Sequence, residues 1–157
     1  MIEFNRYGNP QPDGLVKFEY KDLKLTFVDG MSESETRKDI FENYERYLHD
    51  FKKVVSKEFK QWVNGSFTTI KVNPNDIDLV NIIEYSEELN NRQNVILKFH
   101  SHGGSKEKYL VDGYLVQVYS DDDPRYLHTQ RMLDYWLNWF GKDRDQRPKA
   151  LLEVEII

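Results

Sequence analysis

The sequence contains no cysteine, which excludes a disulfide framework and any thiolate metal site. No apolar run approaches the ~20 residues needed to span a bilayer. The opening, Met1-Ile2-Glu3-Phe4-Asn5-Arg6, lacks the basic start and apolar core of a secretion signal. A cytoplasmic protein with no membrane partner is expected. An excess of basic charge is missing too: 22 Lys and Arg stand against 27 Asp and Glu, a formal net charge of −5. Non-specific nucleic-acid binders are usually basic, so no DNA partner is expected. Internal repeats and low-complexity linkers are also absent, so nothing marks a second domain.

What remains is a chain of 157 residues with 14% aromatics and 31% charged residues. That length supports one domain, 1–157, with its own core. Residues 1–30 read as an N-terminal arm and hairpin. Asn, Pro, Gly and Asp dominate 1–14, and Val16, Phe18, Tyr20, Leu23, Leu25 and Phe27 partly alternate after it. Ser32 and Glu35 fit a capping box. Ile40, Tyr44, Tyr47, Leu48, Phe51, Val54, Val55 and Phe59 then recur at helical spacing, which predicts one long helix over 33–60.

Residues 61–119 form the central segment. A short strand at 62–64 leads into Gly65, and Asn73-Pro74-Asn75 supplies a turn. A strand follows over 76–83, then a helix over 86–99, a loop over 100–105 and a long strand over 108–119. Residues 124–157 add a helix and a closing strand. Asp123 is the predicted N-cap and Pro124 the first helical residue; Gly141 stops the helix, and 152–156 alternate. Tyr135, Trp136, Trp139 and Phe140 read as a core stripe. Arg144, Arg147 and Lys149 read as a solvated face, with a cationic lip as the alternative, and His49 and His128 as ordinary helix residues. His100 and His102 read as loop residues rather than metal ligands. The resulting class is α/β: a short mixed sheet with flanking helices.

The chemistry concentrates between Gly65 and Asp78. Asp76 and Asp78 are two apart, so on a strand they share one face while Ile77 and Leu79 take the other. Two adjacent carboxylates repel unless a divalent cation lies between them. Gly65 and Ser66 offer backbone N–H groups and a hydroxyl, which suit phosphate oxygens. Lys71 reads equally as a phosphate ligand reaching in from the connector and as a solvated loop lysine. Asp112 interrupts the apolar strand Tyr109-Leu110-Val111-Asp112-Gly113-Tyr114-Leu115-Val116, and a charge there needs a reason. It is the first candidate for a third carboxylate; Asp121 is the rival, although the run Asp121 to Asp123 also suits helix capping.

Gly65-Ser66 followed by Asp76-x-Asp78 resembles the signature of the DNA-polymerase-beta-like nucleotidyltransferase superfamily. More narrowly, Asn64-Gly65-Ser66-Phe67-Thr68-Thr69-x-Lys71-x-x-Pro74-x-Asp76-Ile77-Asp78 is similar to a family of small bacterial proteins within it. Tyr135-Trp136, Phe140-Gly141, Arg144 and Arg147-Pro148-Lys149-Ala150 resemble that family's ending. The resemblance implies a polymerase-beta-like nucleotidyltransferase fold and transfer of a nucleoside monophosphate from a nucleoside triphosphate to an acceptor hydroxyl. It implies Gly65 and Ser66 at the phosphates, and Asp76, Asp78 and Asp112 as ligands to Mg²⁺ (or Mn²⁺). It further implies a protein or RNA acceptor and a bacterial toxin–antitoxin or phage-defence setting. The chain ends soon after its last strand, so no large helical acceptor-binding domain is expected. The alternative is a non-catalytic, antitoxin-like interaction subunit that keeps the fold.

Overall fold

The computed structural model describes residues 2–157. Its frame is a five-stranded mixed sheet of β3 (Gly14–Lys17), β4 (Phe59–Asn64), β5 (Ile77–Glu84), β6 (Val111–Val118) and β7 (Ala150–Ile156), ordered β3-β7-β4-β5-β6. β4 runs antiparallel to β5 and β7, whereas β3–β7 and β5–β6 are parallel. A separate ribbon pairs β1 (Glu3–Phe4) with β2 (Pro10–Gln11).

Strand alternation divides the sheet into two faces. Val63, Ile77, Leu79, Ile83, Val111, Leu152 and Val154 pack under α2 (Arg37–Val54), which contributes Ile40, Tyr44, Tyr47, Leu48 and Phe51. Trp62, Val80, Ile82, Val116 and Leu151 pack under α6 (Tyr126–Phe140) through Trp136 and Phe140. Each such side chain contributes roughly 1.5–3 kcal/mol by burial. A polar chain crosses the α2 face. Tyr44 donates to Gln61 at 2.6 Å, Gln61 to Asn81 at 2.7 Å, Asn81 to Tyr47 Oη at 2.8 Å and Tyr47 to the Phe99 carbonyl at 2.9 Å. Every member is satisfied by the next, which fixes the position of β4 and β5 under the helix.

Several element boundaries differ from the sequence expectation, each for a local reason. The expected hairpin is only β3; the chain then turns into α1 (Tyr20–Lys24) and a wide π-turn, Leu25–Asp29. Leu23 and Phe27 lie four apart and are both fully buried, a helical and not an alternating pattern. The long helix starts at Arg37 instead of 33, and Ser32 and Glu35 form no capping box. Ser34 Oγ accepts from the Arg37 amide at 3.2 Å, while Asn73 Oδ1 holds the Glu35 amide at 2.8 Å. The helix also ends early, at Val54, because Phe59 joins β4 and packs its ring 4.6 Å from that of Phe51.

The expected helix over 86–99 is broken into α3 (Glu87–Asn90), α4 (Gln93–Ile96) and a 3₁₀ turn, Leu97–Phe99. Ser86 caps α3 by accepting from the Leu89 amide at 3.1 Å. The expected strand over 108–119 begins only at Val111. Residues Ser105–Tyr109 form α5, and Leu110 at φ 54° makes the corner between them. Asp123 accepts from the Arg125 amide at 2.8 Å and pairs with its guanidinium, so α6 begins later, at Tyr126. The aromatic stripe splits: Trp136 and Phe140 are core, but Tyr135 and Trp139 are 57% and 66% exposed. Lys149, expected in solvent, is buried. No described helix is long and apolar enough to cross a membrane.

Candidate active site

Gly65 ends β4 at φ 84° and ψ −169°, a backbone region that is essentially glycine's alone. A Cβ at this position would overlap Asp78 Oδ2. The missing side chain therefore lets the Asp78 carboxylate lie against the backbone just before Ser66. Ser66–Thr68 form a tight 3₁₀ turn. Thr68 Oγ1 donates to the Gly65 carbonyl at 3.1 Å, and Thr69 Oγ1 to the Ser66 carbonyl at 2.8 Å.

The connector beyond is held by Arg37, which is 1% exposed. Its guanidinium donates to the carbonyls of Phe27 (2.9 Å), Phe67 (2.6 Å), Thr69 (2.7 Å) and Lys71 (2.6 Å). Burial lowers its pKa to about 10, which still leaves it charged near neutrality. Sequence reading had no signal for this role, because the partners are carbonyls far along the chain. The Lys71 side chain is exposed, and the structure fixes it through its backbone rather than through a contact with the aspartates.

Asp78 and Asp112 are direct register partners on the parallel strands β5 and β6, and Asn64 is opposite Asp78 on β4. All three therefore point to the α6 face of the sheet. Asp112 Oδ1 and Asn64 Oδ1 are buried and accept no hydrogen bond. Burial, then the nearby Asp76 and Asp112 carboxylates, push the Asp78 acid up to about 7; Lys149 and Lys106 pull it the other way. Tyr114, two residues after Asp112, has its phenol pushed up by burial and by Asp112. Its ring lies 4.6 Å from Trp136 and edge-on to His100 at 5.3 Å.

Asp76 immediately precedes β5 and has turned toward α5. Lys106 Nζ lies 2.7 Å from its Oδ2. Lys106, not foreseen in the sequence, thus occupies the Asp76 carboxylate, and its own pKa is raised first by that hydrogen bond. Among the described residues no group of three or more acidic or histidine side chains stands ready as a metal cage. Asp121 is exposed beyond the far end of β6 and does not approach the pair, so Asp112 is the carboxylate the fold brings to Asp78. His100 and His102 stack 5.1 Å apart, and His100 Nδ1 accepts from the His102 amide at 3.1 Å, which leaves that nitrogen no lone pair for a metal.

The chain belongs to DUF6932, a family of unknown function, which matches residues 2–155. No curated protein and no solved structure matches it.

In this DUF6932 chain the donor set suits a hard divalent cation, since Asp78 and Asp112 offer carboxylate oxygens in register and one of those oxygens is orphaned. The space a Cβ would take at Gly65 is filled by the Asp78 carboxylate, so the missing side chain sets that ligand against the turn. Two open clefts lie elsewhere. One, of 490 Å³, is lined by Tyr85, Gln93, His100, Gln117 and Met132, and the other, of 700 Å³, by Phe59, Trp62, Ile82 and Leu133. Neither includes an aspartate of the site.

Proposed function

We propose that this chain is a metal-dependent nucleotidyltransferase with a polymerase-beta-like fold, moving a nucleoside monophosphate from a nucleoside triphosphate to an acceptor hydroxyl. The observation that carries the reading is the in-register pair Asp78 and Asp112, set against the side-chain-free Gly65 with one carboxylate oxygen unpartnered. Asp76, Asp78 and Asp112 would hold Mg²⁺ or Mn²⁺. Bound there, the metal would neutralise triphosphate charge at the α-phosphorus. Gly65 and Ser66 receive the β- and γ-phosphates through backbone N–H groups and the Ser66 hydroxyl, and Lys71 adds a mobile charge. Asp112 takes the proton of the acceptor hydroxyl. The acceptor oxygen bonds to the α-phosphorus, the bond to the β-phosphate oxygen breaks, and pyrophosphate leaves. Asp76 joins once Lys106 swings away.

The acceptor is a protein or RNA, in a cytoplasmic toxin–antitoxin or phage-defence module. The acidic net charge favours a protein. Incubation with α-labelled triphosphates, Mg²⁺ or Mn²⁺ and cell extract tests the reading. Wild type should label a protein or RNA band and Asp112→Asn should not. Absence of any labelled band, or equal labelling by Asp112→Asn, would refute it. The Lys106–Asp76 contact at 2.7 Å favours one alternative, a non-catalytic interaction subunit in which Lys106 permanently replaces a cation. That subunit would label nothing even with Lys106 removed.

A further inference from the structure

Lys149 stands immediately before β7 and is 5% exposed. Lysine is rarely buried without a partner. Among the described residues the Lys149 ammonium forms no ion pair. Its two neighbouring carboxylates are Asp78 and Asp143. Asp143 is already engaged. Its Oδ2 accepts from Asn9 Nδ2 at 2.9 Å, and its Oδ1 accepts from the amides of Asp145 and Arg147, both at 2.9 Å. Asp78 is turned against Gly65.

The location is specific. β4 and β7 are antiparallel, with Val63 opposite Leu152, so Lys149 enters β7 at the same end of the sheet where Gly65 and Ser66 leave β4. Leu151 faces α6, and by alternation Lys149 takes that side too. Asn64, also 5% exposed and with an orphaned Oδ1, lies on the same side. Two largely buried side chains, Lys149 without an ion pair and Asn64 with an orphaned oxygen, thus flank the Gly65-Ser66 turn. The Lys149 amide is tied to the Gly141 carbonyl at 2.9 Å, which anchors the residue's backbone at the foot of α6.

We infer that Lys149 is a binding residue for the polyphosphate tail of the substrate, its ammonium meeting phosphate oxygens held over Gly65 and Ser66. The inference deepens the nucleotidyltransferase reading and rests on it. A lysine whose stem is buried and whose ammonium has no ion-pair partner carries a partial desolvation cost in the free protein. That cost becomes binding energy when a polyanion arrives, because a charge already desolvated loses little more. Burial lowers the Lys149 pKa to about 8, so the group is still largely protonated near neutrality. Lys149 therefore distinguishes a polyphosphate from a nucleoside or monophosphate that does not reach the turn.

Calorimetric titration of wild type and Lys149→Met with magnesium tripolyphosphate, Mg-ATP and adenosine tests the assignment. Wild type should bind tripolyphosphate and ATP, and Lys149→Met should weaken both by roughly 10–100-fold, the value of one charge-assisted hydrogen bond. Because Lys149→Met also changes packing, isotopically labelled wild type gives a second reading. The Lys149 side-chain ammonium resonance, assigned through bonds from its backbone, should shift on adding tripolyphosphate. Tight ATP binding with equal affinity in Lys149→Met, or with no shift of that resonance, would overturn this assignment and leave the nucleotidyltransferase reading standing. No binding of either polyphosphate by wild type would overturn both. Tripolyphosphate binding that depends on Lys149, without ATP binding, would retain the anion site and reject the nucleotide reading.

Discussion

Replacing Asp78 with Asn removes one charge from the carboxylate group and keeps its shape. In the metal-free fold the Asp78 acid is raised from 3.8 to about 7, first by burial and then by Asp76 and Asp112. Such an acid holds its proton more tightly in the fold than in the unfolded chain. Stability is therefore present at low pH and is lost as pH rises through that window, between 3.8 and about 7. The full shift corresponds to about 4 kcal/mol at alkaline pH. Relaxation and water entry reduce it, so a penalty of about 1–2 kcal/mol is expected. For a chain of this length that is roughly 2–8 °C in Tm. In chelator at pH 8, Asp78→Asn should melt that much above wild type, and its stability should lose most of the fall between pH 4 and 7. With Mg²⁺ and a triphosphate, wild type should gain about 2.7 kcal/mol at 100 times Kd, because ligands bind only the folded state. Asp78→Asn should gain little. The reasoning is refuted if Asp78→Asn melts lower in chelator and wild type ignores metal and triphosphate.

Ser66→Ala should weaken triphosphate binding by about 1.5–3 kcal/mol, read by calorimetry. Gly65→Ala should lower stability by about 1–3 kcal/mol in urea melts from backbone strain alone, and should lose triphosphate binding because its Cβ displaces Asp78. Lys106→Met leaves the Asp76 carboxylate, 16% exposed, without its partner and should lower stability in chelator, while tightening Mn²⁺ binding; unchanged affinity would show that Lys106 does not compete with metal. Arg37→Met strands the carbonyls of Phe27, Phe67, Thr69 and Lys71. It should destabilise the chain by about 3 kcal/mol or more in urea.

The α/β class and the long helix were legible because their apolar residues recur at the right period. Asp112 stood out as a charge inside an apolar strand, and Asp78 as the second of two aspartates two apart at a strand start. Boundaries were not legible, because they depend on partners far along the chain. Asn73 holds the turn before α2, Phe59 leaves that helix to pack on Phe51, and Leu110 turns a corner that no local residue preference announces. The cations around the site were missed for the same reason. Lys106 and Lys149 look like surface lysines until α5 and the foot of β7 fold back beside Asp76 and Asp78. Trp139 misled in reverse: its type suggests core, but α6 turns it outward while Trp136 and Phe140 face the sheet.

The central claim is that Asp78 and Asp112 together hold the metal that accompanies a triphosphate. Electron paramagnetic resonance of Mn²⁺, titrated with protein and a non-hydrolysable triphosphate, tests it directly. Wild type with the triphosphate should give a protein-bound Mn²⁺ species distinct from the binary Mn²⁺–triphosphate complex, and Asp78→Asn and Asp112→Asn should each abolish that species. A bound signal of equal strength in both variants would contradict the claim.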